Sequence, residues 1–326
     1  MTIGVDIGGT KVAAALVGST GEIAQKTRVP MNAAGSAADG FAAVSAAVEA
    51  VFFAVPDARA AVSGIGLCSP GPLDPKSGVV LNPPNLPCWR DFPLAAEIEH
   101  AFRLPARVDN DANAAGLAEA IWGSGIGYTN VFYATLGTGI GSGIVFDRKI
   151  YHGRTGSAAE GGHVTIDYRG PKCGCGKYGC IEAFASGPAI ARRARAKLAG
   201  AADSGVASGI LQLAGSLDLV RADHVGQAFH QGDGAAREIL EETAMLLTVW
   251  LGNIVDLLEP DVMVVGGGIA ELMSGFFPDI SRNLPRWTIN RRAHEIPLVM
   301  ARYGADAGIA GAAALVTFGP ESHPYK

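Results

Sequence analysis

The 326-residue sequence predicts an α/β fold, and three observations carry that prediction. Apolar, β-rich runs end in glycine turns at three separated places: "IGVDIGGTKVAAALV" from Ile3, "VFYATLGTGIGSGIVF" from Val131 and "DVMVVGGGIA" from Asp261. Segments of helical character lie between them, at Ala37–Ala54, Ala112–Trp122, Pro188–Ala199 and Arg237–Leu258. Strands interleaved with helices mark an α/β chain. The composition, 48% hydrophobic and 17% charged, supplies a core large enough for two domains.

The first run delivers Asp6 to a tight turn, "DIGGTK". Gly8 and Gly9 let the backbone come close to a ligand, Thr10 adds a hydroxyl and Lys11 a cation. Successive bare N–H groups there make an anion cradle, although Gly-Gly is also an ordinary hairpin turn. The Pro-rich "NPPNLPCW", residues 82–89, reads as a loop. In "RVDNDANAAGLAE" a strand runs into an Ala-rich helix, with Asn110, Asp111 and Asn113 at the junction. Helix capping explains such residues; so does a positioned base.

The second glycine turn offers Gly137, Thr138, Gly139 and Gly141 to the far side of a phosphate chain, unless it is only a glycine-rich strand corner. The third, Gly266, Gly267 and Gly268, would let a base or ribose lie against the backbone. None fits G-x-x-x-x-G-K-[ST], and none is a G-x-G-x-x-G with an acidic residue about 20 positions on. A P-loop NTPase and a dinucleotide dehydrogenase are therefore disfavoured. Three strand-to-glycine turns spread along the chain suit a nucleotide held between two domains.

Three of five cysteines, Cys173, Cys175 and Cys180, crowd into "CGCGKYGC", and His163 stands ten residues before the first. Cys₃His is a common structural zinc set; buried free thiols are the alternative. Gly174, Gly176 and Gly179 would let the loop fold round an ion. Residues 200–234 show no strong pattern, and "DAGIAGAAALVTF" near the end reads as a helix.

Net charge is −5 with a pI of about 5.8, so no basic face for nucleic acid stands out. Arg192, Arg193, Arg195 and Lys197 read as a solvated helix face. The apolar "AMLLTVWLGNIVDLL" from Ala244 contains Thr248, Asn253 and Asp256 and reads as a buried helix, too short and polar to span a bilayer. "MTIGVDIGGTK" does not read as a secretory signal. Sparse cysteine agrees with a reducing, cytoplasmic address, where a cysteine cluster points to metal.

With "DIGGTK", "LGTGIGSG" and "VVGGGI" as first phosphate, second phosphate and adenosine motifs, the chain resembles the ROK family of sugar kinases and repressors. That family lies in the sugar kinase–actin–Hsp70 superfamily, and the similarity runs nearly end to end. The resemblance implies two ribonuclease-H-like, actin-like ATPase domains flanking a cleft. Residues 1–110 and a C-terminal helix at about 305–326 would form the small lobe. Residues 111–304 would form the large lobe, with the zinc loop, the sugar site and a dimerisation surface.

The resemblance also implies Asp111 of N-D-x-N as general base and Asn110 as a sugar ligand. The pattern E-x-G-H…C-x-C-G-x-x-G-C-x-E implies that Glu160, His163 and Glu182 contact sugar hydroxyls. His163 would also bind zinc with the three cysteines, clamping the loop. "NPPNLPCWRDFPL" resembles a segment of glucokinase-type relatives, which implies Asn85 at the sugar and Gly71 near the pocket. The expected activity is ATP-dependent phosphorylation of glucose, with Mg²⁺ (Asp6 helping to hold it) and structural zinc, in a homodimer or homotetramer without nucleic acid or membrane.

Kinases for N-acetylmannosamine, fructose, mannose or allose share the motifs, and polyphosphate is an alternative phosphoryl donor. A DNA-binding repressor is disfavoured because the phosphate turn begins at Asp6, and a silent sugar sensor is the remaining alternative.

Overall fold

The computed structural model describes residues 1–201 and 208–318. The strands are β1 (Thr2–Ile7), β2 (Lys11–Val17), β3 (Ile23–Pro30), β4 (Ile65–Ser69), β5 (Leu73–Asp74), β6 (Val79–Val80), β7 (Ala106–Asn110), β8 (Asn130–Leu136), β9 (Ile140–Phe146), β10 (Lys149–Ile150), β11 (Val262–Gly266) and β12 (Leu298–Met300). The helices are α1 (Ala37–Ala54), α2 (Ala58–Ala61), α3 (Leu94–Phe102), α4 (Asp111–Ile121), α5 (Glu182–Ala185), α6 (Gly187–Ala201), α7 (Gly209–Ala214), α8 (Ala222–His230), α9 (Gly234–Leu258), α10 (Gly268–Met273), α11 (Phe277–Asn283) and α12 (Ala307–Phe318). The α/β class expected from the sequence is the class observed.

Two compact units divide the chain. The first comprises residues 1–133, 143–159 and 301–326; the second comprises 134–142 and 160–300. The first unit thus extends past residue 110 to take in α4 and β10, because α4 packs on α12. At Gly311 a Cβ would lie 2.3 Å from the Ala114 carbonyl carbon, so only glycine permits that helix contact. Of the expected C-terminal helix, residues 319–326 lie outside the described residues.

The first unit is built on the sheet β3-β2-β1-β4-β7. Its β1–β4 and β4–β7 pairs are parallel, and their register sets Asp6, Cys68 and Asp109 in one row across three strands. Ile3, Val5, Val44, Val48, Ile65, Leu67, Trp89 and Ile98 form its core. Helix α1 is long and apolar enough to cross a membrane by composition, but its Val44, Ala47, Val48 and Val51 face pack into that core. Ser36 caps it by accepting from the Asp39 N–H, and the Asp39 carboxylate accepts from the Ser36 N–H, a reciprocal capping box.

A further five-stranded sheet has the order β10-β9-β8-β11-β12. In the second unit the long helix α9 buries Leu247, Trp250, Leu251 and Ile254, as the sequence suggested for this apolar stretch. Two expectations need correction. Residues 200–234, which showed no pattern, contain α7 and α8. The buried face of α8 is Ala222, Val225, Gly226 and Ala228, an amphipathic stripe of small side chains not singled out from the sequence; residues 202–207 of the stretch lie outside the described residues. The basic cluster on α6 is not a uniformly solvated face. Arg193 is drawn in to pair with Glu242 at 2.8 Å and to donate to Thr243, and Arg195 donates to the Val220 carbonyl at 2.9 Å. Arg192 and Lys197 stay exposed.

Candidate active site and metal centre

The first unit carries the first phosphate turn and the proposed base. Asp6 stands at the end of β1, and the turn closes with the Gly8 N–H donating to the Lys11 carbonyl at 2.9 Å. Burial raises the Asp6 carboxyl above its ordinary value, opposed by a Cys68 thiol hydrogen bond and by Lys11. Thr10 and Lys11 are exposed. Gly9 is a glycine for a reason the sequence did not suggest. Its Cβ would lie 2.8 Å from the Asn85 carbonyl oxygen, so the neighbour there is backbone of the 82–89 loop. That loop is pinned by fully buried Leu86 and Trp89, the latter stacked on Phe92 at 5.1 Å, and it leaves Asn85 exposed.

Asn110 caps α4, its side chain accepting from the Ala112 and Asn113 N–H groups at 3.0 and 3.4 Å. Asp111 is the first residue of the helix and is exposed; its carboxylate accepts from the Ala112 N–H at 2.8 Å. The capping reading of this junction is realised by Asn110, and the cap fixes where Asp111 begins the helix. A Cβ added at Gly71 would meet the Asn110 side-chain amide at 3.6 Å and the Leu73 backbone nitrogen at 3.9 Å, so Gly71 and Asn110 are neighbours.

The second unit carries the other two glycine turns. Among the described residues, chain neighbours apart, nothing lies within 4 Å of a Cβ added at Gly137 or at Gly268, and both turns expose residues, Thr138 in one and Gly268 in the other. Space that a Cβ would fill beside bare backbone is what close approach of a phosphate or ribose requires. Gly267 sits at φ +91° with its Cβ position 2.4 Å from the Leu136 carbonyl, so β11 can end against β8 only through glycine. Gly139 is bounded instead by Glu182, whose Oε2 accepts from the Ile140 N–H at 2.9 Å. Glu182 is thus bonded to the chain directly after the second glycine turn.

Glu160, Gly161, Gly162 and His163 form a single 3₁₀ turn. It is fixed at Gly161, whose N–H donates to Ser142 Oγ at 2.9 Å and whose carbonyl accepts from Trp250 Nε1 at 3.0 Å. Glu160 is exposed and His163 half-buried.

His163, Cys173, Cys175 and Cys180 come together, their ligand atoms all within 4.8 Å of one another. Cys173 Sγ lies 3.6 Å from His163 Nδ1, and Cys175 Sγ lies 3.7 Å from Cys180 Sγ. A tetrahedral zinc with bonds of about 2.3 Å to sulfur and about 2.05 Å to nitrogen has S···S edges of about 3.8 Å and S···N edges of about 3.6 Å. The donor set fits the ion in identity and number, and the Cys173–His163 and Cys175–Cys180 separations match two edges of such a tetrahedron. Gly176 and Gly179, at φ +93° and +68°, supply the turns that bring the thiols round. Burial pushes the Cys173 thiol up to about 12 and raises Cys180, whereas the Lys177 backbone N–H lowers Cys175. A dication among them would hold all three as thiolates. The His163 ring turns Nδ1 toward the thiols, which leaves Nε2 for another partner.

The ROK family profile matches residues 2–318. A glucokinase of Halalkalibacterium halodurans is 34% identical over 96% of this chain and 94% of its own. The chain belongs to the ROK family. An N-acetylmannosamine kinase of Escherichia fergusonii is 33% identical over 96% of this chain and 97% of its own. Among solved structures, a ROK family glucokinase from Streptomyces griseus in complex with glucose and AMPPNP is 36% identical, with a TM-score of 0.79 over 96% of this chain and 98% of that one. The actin-like ATPase fold of ROK sugar kinases is therefore the fold of this chain.

Within this ROK fold the sequence reading overlooked several supporting residues. Asp109, buried beside the motif, binds the Asn110 N–H at 2.7 Å and Asn113 Nδ2 at 3.3 Å. It belongs to the strand that runs into "NDAN", where strand periodicity alone gives it no functional mark. His152, Ser142 and Trp250 act from 10 or more residues away in sequence, and no local pattern marks them.

Proposed function

We propose that this ROK protein is an ATP-dependent hexose kinase whose substrate is glucose and whose product is glucose 6-phosphate. The observation that carries the reading is the exposed Asp111 carboxylate at the start of α4, held there by the Asn110 cap. The 6-hydroxyl oxygen of the sugar attacks the γ-phosphorus of ATP and ADP departs. Asp111 takes the hydroxyl proton as the phosphoryl group arrives, leaving glucose 6-phosphate.

Asn85, Asn110, Glu160, His163 and Glu182 are proposed as partners for the sugar hydroxyls, with Gly71 beside Asn110. Each hydroxyl withdrawn from water needs such a partner. Asp6, Gly8 to Lys11, Gly137 to Gly139 and Gly266 to Gly268 are proposed to hold ATP. The open space beside Gly137 and Gly268 supports this assignment. Mg²⁺, which Asp6 would help to hold, would supply charge neutralisation on the phosphates. Zinc on His163, Cys173, Cys175 and Cys180 is proposed as structural, four protein ligands leaving it no open position. A homodimeric or homotetrameric, cytoplasmic enzyme belongs to the same reading.

N-acetylmannosamine is the second sugar to weigh, because a kinase for it is about as similar to this chain as the glucokinase. A coupled assay over a panel of hexoses, with ATP and polyphosphate as donors, decides. The expected result is highest kcat/KM for glucose with ATP. Higher kcat/KM for N-acetylmannosamine would replace the substrate, and no turnover of any sugar would leave a sensor.

A further inference from the structure

Two side chains, Asn113 and His152, meet at Asp109 in a way that the reaction above does not use. Asp109 sits on β7, two residues before Asp111, and is 3% exposed. A carboxylate this buried needs donors on both oxygens. Oδ1 accepts from the Asn110 N–H at 2.7 Å and from Asn113 Nδ2 at 3.3 Å. Oδ2 lies 2.6 Å from His152 Nε2. His152 follows β10, with its ring about a quarter exposed, and its carbonyl accepts from the Ala158 N–H at 3.2 Å.

The geometry points to His152 and Asp109 as a positioning pair for the catalytic turn. Asp109 is the hub: one oxygen grips the backbone of Asn110 and the side chain of Asn113, the residues on either side of the Asp111–Ala112 step. The other oxygen is held by a residue from a different part of the chain. With His152 in place the Asp109 carboxylate has one orientation, and the Asn110 cap and the Asp111 carboxylate inherit it. Without His152 a buried anion is left one donor short and must rotate toward another, taking Asn110 and Asn113 with it. Helix capping alone does not require such a brace. Among the described helices, α1, α7 and α9 carry side-chain caps from Ser36, Ser208 and Asp233. At α4 the brace serves the placement of a particular carboxylate, and the inference rests on the reading of Asp111 as base.

The experiment compares His152→Ala, His152→Gln and Asp111→Asn in the full-length protein, with steady-state kinetics in both substrates. His152 is partly exposed, so these variants keep the core. His152→Ala is expected to lower kcat about tenfold, because misplacement by a fraction of an ångström suffices, while KM for ATP stays within about twofold. Glutamine places an amide N–H near the position of Nε2, so His152→Gln is expected to recover most of kcat. A general packing defect would not be rescued by a side chain of different shape. Wild-type kcat in His152→Ala, or equal impairment in the alanine and glutamine variants, would overturn the pair. Undiminished turnover in Asp111→Asn would remove the base and the inference with it. Loss there with wild-type turnover in His152→Ala would remove the pair alone.

Discussion

Glu182 is the residue where a single substitution tests the most. Its Oε2 accepts from the Ile140 N–H at 2.9 Å, immediately after the second phosphate turn, and its Oε1 lies 3.5 Å from Cys173 Sγ. A residue proposed for the sugar therefore also anchors the turn proposed for ATP. Glu182→Ala removes a hydrogen bond to an ionised acceptor, worth about 1.5–3 kcal/mol. The side chain is about a quarter exposed, so water takes up part of the loss and the lower end applies. About 1.5 kcal/mol is roughly tenfold in an equilibrium constant.

The assay is calorimetric titration of a non-hydrolysable ATP analogue into the protein without any sugar. A residue that touched only sugar leaves that affinity unchanged. The bond to Ile140 predicts weakening of about tenfold, and Glu182→Gln, which keeps a neutral acceptor, falls between. A folded Glu182→Ala protein with wild-type nucleotide affinity would refute the anchoring role. The sequence alone suggested a cysteine loop that served sugar and a phosphate turn that served ATP; Glu182 ties one to the other.

Four further outcomes follow from the same geometry. Asp111→Asn is expected to lower kcat by about 10²–10⁴-fold with glucose affinity retained in calorimetry; more than about a tenth of wild-type kcat would remove the base. Gly137→Val meets no protein atom within 4 Å of the new Cβ, so Tm should hold while KM for ATP rises; unchanged KM would empty that turn of phosphate. Purified protein should contain about one zinc per chain by mass spectrometry, and Cys175→Ser should weaken it and raise KM for sugar, with a smaller rise for ATP passed through Glu182. Full activity in metal-free wild-type protein would end the clamp. Asp6→Asn should raise Tm of the ligand-free protein at pH 7 while abolishing turnover. Burial raises the folded carboxyl above 3.8, so its ionisation costs stability as pH rises through that window. The gain should therefore shrink as pH falls toward about 4, and a lower Tm at pH 7 would reverse the assignment.

What could be read from the sequence was local, and what could not was contributed by contacts distant along the chain. The glycine corners were legible because each joins an apolar strand to a turn within ten residues, and β1, β8 and β11 end where those runs end. The cysteine cluster was legible because its spacing is short. The domain limits were less so: α4 follows the strand that ends the expected small lobe, and its packing on α12, which includes the close approach of Gly311 to Ala114, is a contact between segments distant in sequence. The role of a glycine also depends on its neighbour. Gly9 and Gly137 look alike in sequence, yet one faces the Asn85 carbonyl and the other faces open space.

The parallel register explains why the chemistry gathers where it does in the first unit. Asp6, Cys68 and Asp109 stand in one row near the ends of β1, β4 and β7. Asp6 is followed by the phosphate turn, and Asp109 by the residues that cap α4 and start it with Asp111. Cys68 between them is buried and uncharged, its thiol donating to Asp6 at 3.5 Å and to the Gly308 carbonyl at 3.3 Å. Burial and the two nearby carboxylates, Asp6 and Asp111, push that thiol well above its ordinary range, so it stays protonated. A third anion in this row would repel Asp6 and oppose the Mg²⁺ binding proposed for it; a neutral donor leaves the carboxylates on either side without a like charge between them. In the proposed reading Asp6 would serve the metal and phosphate, and Asp109 the placement of the base, from positions of one sheet that Cys68 separates.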